Sequence, residues 1–146
     1  MRAYLDLCAL KRPFDDQTQS RIRLEANALL ELLAASPERV TFVHSRAHDV
    51  ENIQNPIRCR AARVAARLES ATTPPDPKTE DLVRRTSELM PFGFRNFDAL
   101  HVACAELAEA DVFVTTDDRL LRLANRHATL LRVRAVDVVT LAREVL

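Results

Sequence analysis

The sequence predicts an α/β protein, a three-layer α/β/α sandwich around a central, mainly parallel sheet. Short apolar runs rich in β-branched and aromatic residues recur along the chain, longer amphipathic stretches separate them, and the intervals leave room for crossover helices between parallel strands. The 146 residues fit one domain, 1–146, long enough to bury roughly two thirds of the surface that the unfolded chain exposes.

Ala3–Leu7 reads as a short central strand with an acid, Asp6, lodged in apolar surroundings. A buried carboxylate costs several kcal/mol, roughly, unless a cation or donors compensate it, so Asp6 points to function more than to structure. The segment 11–16, Lys-Arg-Pro-Phe-Asp-Asp, is a turn-rich loop. Arg21–Leu33 follows as an amphipathic helix with Ile22, Ala26, Leu29, Leu30 and Leu33 as its buried stripe. Glu25, one turn beyond Arg21, reads as a surface i,i+4 contact.

Val40–His44 is the second strand, and Ser45 is a natural N-cap for a helix running through Val50 to Gln54. Glu51 in that helix lies beyond a strand's carboxyl end. His44, His48 and Glu51 invite a zinc reading, but His44 falls in the strand and His48 in the helix, so the one-helix spacing fails.

Asn55-Pro56 breaks this helix, and Ile57–Leu68 forms the next, with Arg58, Arg60, Arg63 and Arg67 on its polar side, a solvated face by default that could also contact phosphates. The proline-rich stretch at 72–77 is a rigid connection leading to a helix at Thr79–Met90. Gly93, the only glycine, comes where a backbone must reach positive φ.

Asn96 is able to cap the next helix, in which Asp98 occupies the first turn and Leu100, Ala103 and Leu107 share a face. Val112–Thr115 has the length of a buried strand and runs straight into Thr116, Asp117 and Asp118. An Arg119–Asn125 helix, a strand at Leu130–Val133 and an Asp137–Val145 helix with Val138, Leu141 and Val145 inward complete the chain.

Composition excludes several classes. With 47% hydrophobic residues and zero formal net charge, the chain is neither disordered nor globally basic. Lysine occurs only at Lys11 and Lys78, and a coding bias toward arginine explains this more simply than phosphate recognition does. Cys8, Cys59 and Cys104 are odd in number and in no C-x-x-C pair, which implies a reducing cytoplasm and excludes a disulfide framework. The N-terminus lacks a signal-peptide core and no run has the ~18 apolar residues of a membrane span, so a soluble, unexported, membrane-free protein is expected.

Acids near helix starts are common because they complement the dipole, and one alone proves little. Asp6, Glu51, Asp98 and Asp117, however, all map to strand carboxyl ends or to the helices that follow, the edge at which open α/β sheets bind ligands. Crowded carboxylates repel, so a hard divalent ion, Mg²⁺ or Mn²⁺, is their natural counter-ion. Two such ions about 3.5–4 Å apart would perform phosphodiester hydrolysis, with the acids as ligands.

The segments Leu5-Asp6-Leu7-Cys8 with 12–16 Arg-Pro-Phe-Asp-Asp, Asn55-Pro56, 97–103 Phe-Asp-Ala-Leu-His-Val-Ala and 115–121 Thr-Thr-Asp-Asp-Arg-Leu-Leu, in this order, resemble the PIN domain family over nearly the whole chain. The resemblance is to its toxin-like, VapC-type ribonucleases and implies a PIN-like α/β/α fold with a parallel sheet. It also implies Mg²⁺- or Mn²⁺-dependent hydrolysis of RNA, and Asp6, Glu51, Asp98 and Asp117 as catalytic acids and metal ligands, with Asp118 a substitute for Asp117. Glu51 is the least secure position, because its segment is more polar than the family's and Asp49 could sit nearer the metal. Thr115 or Thr116 would orient a carboxylate or water. RNA is the implied substrate, an antitoxin protein the implied partner of a toxin, and a homodimer is left open.

Two rival readings stand beside this one. One is a PIN-like module that binds RNA or a protein without catalysis. The other is a phosphoacceptor receiver domain, which needs a Lys after a late strand, and Lys11 and Lys78 lie elsewhere.

Overall fold

The computed structural model describes residues 1–146. Its sheet has four strands, β1 (Arg2–Leu5), β2 (Thr41–Val43), β3 (Val112–Val114) and β4 (Arg134–Val136), in the order β2-β1-β3-β4. Every pairing is parallel, with Ala3 opposite Phe42 on one side and opposite Val112 on the other. The helices are α1 (Leu7–Lys11), α2 (Ser20–Ala34), α3 (Arg46–Ile53), α4 (Arg58–Glu69), α5 (Thr79–Leu89), α6 (Asn96–Leu107), α7 (Asp118–Arg126) and α8 (Val138–Val145).

Period-two alternation along the strands builds the layers. Ala3, Leu5, Phe42, Val112, Val114 and Val136 face one core with residues of α1, α2, α4 and α8. Tyr4, Val43, Phe113 and Ala135 face the other, with residues of α3, α5, α6 and α7. Both faces of the sheet are therefore covered, as a parallel sheet requires, and the molecule is a three-layer α/β/α sandwich. No helix is long and apolar enough to cross a membrane.

After β1 the chain moves to one side to make β2 and later returns to the other side to make β3. That reversal makes the carboxyl ends of β1 and β3 the sheet's topological switch point, the edge at which open α/β sheets bind ligands. The connection after α4 closes the outer edge of β2, where Thr72 N–H donates to Phe42 O at 2.8 Å and His44 N–H to Thr72 O at 2.9 Å. Gly93 has φ of 101°, the positive value that its place after the 3-10 turn at Met90–Phe92 demands.

Several expectations are corrected. The final strand lies at Arg134–Val136 and not at Leu130–Val133. The earlier run cannot join the sheet, because Arg85 Nη2 donates to Leu130 O at 2.7 Å and Arg132 N–H donates to Glu106 Oε1 at 2.9 Å. Side chains from α5 and α6 thus take backbone groups that a ladder would need. The first strand stops at Leu5, and Leu7 already begins a helix, which leaves Asp6 at the strand end.

In α2 the buried residues are Glu25, Ala26, Ala28, Leu29 and Leu32, while Leu30 is 46% exposed. Glu25 is not a surface partner of Arg21 alone. It is buried, with Arg21 Nε at 2.8 Å and Arg12 Nε at 2.6 Å, and the double ion contact compensates its burial. At α6 the capping position falls to Arg95, with no side-chain cap, so Asn96 is the first helical residue.

Candidate functional site

Asp6 follows β1 immediately, and its N–H donates to Val114 O at 2.8 Å, extending the β1–β3 ladder by one bond. Its side chain is almost wholly buried. Thr115 Oγ1 donates to Asp6 Oδ2 at 2.8 Å, and the Cys8 thiol donates to the same oxygen at 3.0 Å. Both bonds fall on Oδ2, so Oδ1 carries no protein hydrogen bond. Burial, reinforced by the Asp6 charge, pushes the Cys8 thiol far up, and it remains a neutral donor.

Beyond β3, Asp117 is the N-cap of α7. Its Oδ1 accepts from the N–H groups of Arg119 at 2.9 Å and Leu120 at 3.1 Å. Thr115 Oγ1 in turn accepts from Asp117 N–H at 3.1 Å, so one threonine hydroxyl links the strand ends that carry Asp6 and Asp117.

Asp98, in the first turn of α6, accepts from Arg119 Nη2, which also lies 3.9 Å from Asp117. Burial raises the Asp98 carboxyl; Arg119 opposes the rise, and the charges of Asp6 and Asp117 add to it. The three aspartates therefore share one electrostatic neighbourhood.

Glu51 completes the group from α3. A ligand oxygen of Asp6, one of Glu51 and a ring nitrogen of His101 lie within 4.8 Å of one another. His101 Nε2 is 2.6 Å from Glu51 Oε2, and its Nδ1 is 2.7 Å from the Tyr4 hydroxyl. Because Oε2 of a carboxylate only accepts, Nε2 must carry the proton and cannot also bind a metal. The oxygens of Asp6 and Glu51 are the donors available to a cation, and His101 stands behind Glu51.

His48 supports the same corner. Its Nε2 donates to Leu5 O at 2.7 Å, directly before Asp6, and its Nδ1 accepts from Ser45 N–H at 3.1 Å. Both bonds need the neutral ring, and burial, helped by His101 and His44, pushes the imidazole down to about 3. This is a role of His48 that zinc spacing could not describe.

The structure thus brings Asp6 beside Glu51, links Asp6 to Asp117 through Thr115 and Asp117 to Asp98 through Arg119, and leaves two other acids outside. Asp118 forms a bidentate surface ion pair with Arg21, which holds its carboxyl below the usual range. Asp49 lies 2.8 Å from His44 Nε2 and is half-exposed, so Glu51 and not Asp49 stands beside Asp6. Of the expected hydroxyls, Thr115 contacts an acid, whereas the buried Thr116 Oγ1 has no partner.

Sequence reading missed Tyr4, Cys8, His101 and Arg119. A signal existed for two of them: His101 is three residues from Asp98 on one helix, and Arg119 follows an acid pair at a helix start. Tyr4 sits two residues before Asp6 on a strand and looks like any core aromatic.

The fold and site define an α/β/α sandwich with an acidic cluster at the sheet's topological switch point. No family model matches the chain, and no curated protein matches it. Among solved structures, the crystal structure of PAE2754 from Pyrobaculum aerophilum is similar, with 19% sequence identity and a TM-score of 0.52. The match covers 99% of this chain and 89% of that one, and the likeness is one of fold.

Proposed function

We propose that the chain is a metal-dependent endoribonuclease of the PIN type, hydrolysing RNA phosphodiester bonds with Mg²⁺ or Mn²⁺. The observation that carries this reading is the placement of four carboxylates, from the residue after β1, α3, α6 and the start of α7, with Asp6 beside Glu51 and within the field of Asp98, and a single arginine pairing with Asp98 and Asp117. Such a group is short of positive charge, and all its free donors are oxygens, the set that hard divalent ions prefer. Asp6 Oδ1 and Glu51 Oε1 accept no protein hydrogen bond and are the first candidates to hold the ion.

A bound divalent ion supplies Lewis acidity and a water of lowered pKa. The protein's part is to hold the carboxylates ready. Thr115 and Cys8 fix one oxygen of Asp6 and leave the other open, and His101 does the same for Glu51. Asp98 and Asp117 would bind in exchange for their contact with Arg119.

The expected result is cleavage of RNA by the purified chain that requires Mn²⁺ or Mg²⁺, stops in EDTA and is lost in Asp6→Asn and Asp98→Asn. Equal cleavage by both variants rejects the reading. A second reading, a PIN-like module that binds RNA or a protein without cutting, is favoured by Arg119, which already neutralises part of the acidic group. It predicts no turnover, no Mn²⁺-dependent thermal shift and binding that persists in EDTA. A toxin held by a small antitoxin is the narrower form of the first reading, tested by whether a short gene adjoins this one and whether its product, co-expressed, blocks cleavage.

A further inference from the structure

We propose that Ser45, Tyr4 and His101 form a hydrogen-bonded relay that aims the Glu51 carboxylate toward Asp6, which makes His101 a positioning residue and not a ligand. The inference rests on reading the acidic cluster as a cation site.

The relay has three links, Ser45 Oγ to Tyr4 Oη at 2.7 Å, Tyr4 Oη to His101 Nδ1 at 2.7 Å, and His101 Nε2 to Glu51 Oε2 at 2.6 Å. It starts at the N-cap of α3, crosses β1 and α6, and returns to α3 at Glu51. The two middle members cannot swing. Tyr4 is wholly buried, with its ring stacked on His48 at 4.4 Å between centroids and on Phe113 at 5.8 Å. His101 is wholly buried as well, on α6.

The protons have a single consistent arrangement when the imidazole is neutral. Glu51 accepts, so His101 Nε2 donates and Nδ1 must accept from the Tyr4 hydroxyl. That hydroxyl has one hydrogen, so its oxygen accepts in turn from Ser45. The Ser45 hydroxyl hydrogen is therefore committed to Tyr4, while Ser45 N–H donates to His48 Nδ1 at 3.1 Å as one half of the α3 capping box.

A network that served only the core would end inside it. This one ends on a carboxylate whose side chain is 28% exposed and whose other oxygen is open. Ordering a free glutamate at a metal site costs rotamer entropy, which a prepositioned side chain has already met. Groups that orient a ligand in this way typically change metal affinity 10–100-fold when removed.

The test is calorimetric titration of the full chain with Mn²⁺ alone, beside melting curves in EDTA. Tyr4→Phe keeps the stacked ring and removes the middle link; His101→Asn can keep the contact with Tyr4 but loses the donor to Glu51; His101→Gln can keep that donor. The relay predicts Mn²⁺ binding weakened 10–100-fold in Tyr4→Phe and His101→Asn, and within a few-fold of the parent in His101→Gln. Should Tyr4→Phe fail to fold, Ser45→Ala removes the first link from a half-buried position and is expected to weaken binding by a smaller factor.

Unchanged Mn²⁺ affinity in Tyr4→Phe and His101→Asn, with only the melting temperature lowered, overturns the relay and leaves the cation site standing. A parent chain that binds neither Mn²⁺ nor Mg²⁺ overturns the cation site, and the relay's purpose with it, before any substitution is made. A further readout needs no metal: ¹⁵N-detected imidazole spectra in EDTA at alkaline pH should show His101 protonated on Nε2, and a neutral ring protonated on Nδ1 overturns the proposal.

Discussion

Arg119, the second residue of α7, holds Asp98 in the first turn of α6, and its guanidinium is the one cation paired inside the acidic group. It occupies the electrostatic role that a metal would take. Arg119→Gln should therefore lower the melting temperature in EDTA, by an amount corresponding to about 1 kcal/mol for a partly exposed pair. The same variant should show a larger Mn²⁺-induced rise than the parent, because Asp98 and Asp117 no longer have to exchange an arginine for the ion. An unchanged Mn²⁺ shift would show that Arg119 does not compete at this site.

Asp98→Asn separates chemistry from stability. Burial and the neighbouring acids raise the Asp98 carboxyl despite Arg119, so the folded state disfavours its charge relative to the unfolded chain. The penalty is absent below the unfolded carboxylate pKa and grows as pH rises toward the folded value, above which it is fully present. At neutral pH the asparagine variant should melt no lower than the parent while RNA cleavage is lost. A drop of many degrees would mean that the carboxylate stabilises the fold, contrary to the sign of its shift.

The acids were legible in the sequence because the sheet topology was. Alternation in Ala3–Leu5 and Val112–Val114 places the residues that follow these strands, Asp6 and Thr115–Asp117, at a common edge whatever the exact strand ends. What could not be read depends on tertiary partners. Leu130–Val133 has the composition of a strand, but Arg85 and Glu106 take its backbone groups, and β4 forms four residues later. Glu25 looked like half of a surface pair until Arg12, thirteen residues away, met it in the interior. Tyr4 and His101 are 97 residues apart, and no local pattern announces a bond between them.

The neutral state of His48 sets an acid limit on stability. Its folded value, about 3, lies below the ~6.5 of an exposed histidine, so between these values the unfolded chain binds a proton that the folded one refuses. Its contribution is fully present above the unfolded value and is lost as pH falls toward the folded one, at up to about 1.4 kcal/mol per pH unit. Denaturant unfolding followed from neutral to acid pH should show this slope, and His48→Gln should flatten it. A parent curve level between pH ~6 and ~4 contradicts the assignment.

Arg85 and Glu106 form the most enclosed ion pair, with side chains 8% and 0% exposed and contacts of 2.5 and 3.0 Å. Breaking a buried pair by removing one partner typically costs about 3–5 kcal/mol, because the other charge stays unpaired. Arg85→Met should fall in that range, and amide exchange should rise at 130–136, where the pair grips the approach to β4. Loss of stability without faster exchange in that segment would assign the pair to helix packing alone.

The arginines of α4 give the last prediction, which depends on the proposed action on RNA. On a helix of about 3.6 residues per turn, Arg60, Arg63 and Arg67 fall within an arc of about 60°, while Arg58 lies on nearly the opposite side. Arg63 and Arg67 both approach the Phe14 ring, at 5.9 and 4.8 Å. Arg67 also donates to Leu10 O at 2.8 Å, one helical turn from Asp6 along α1. Burial, with the Arg63 charge added, lowers the Arg67 pKa, as expected for crowded cations without a counter-ion. An incoming phosphate would relieve that crowding beside the acids. Arg63→Gln should weaken single-stranded RNA binding and reduce the slope of log affinity against log salt by about 0.7, the value for one phosphate contact. Arg58→Gln should leave the slope unchanged, and equal slopes for parent, Arg63→Gln and Arg67→Gln would make this face of α4 a solvated surface with no part in binding.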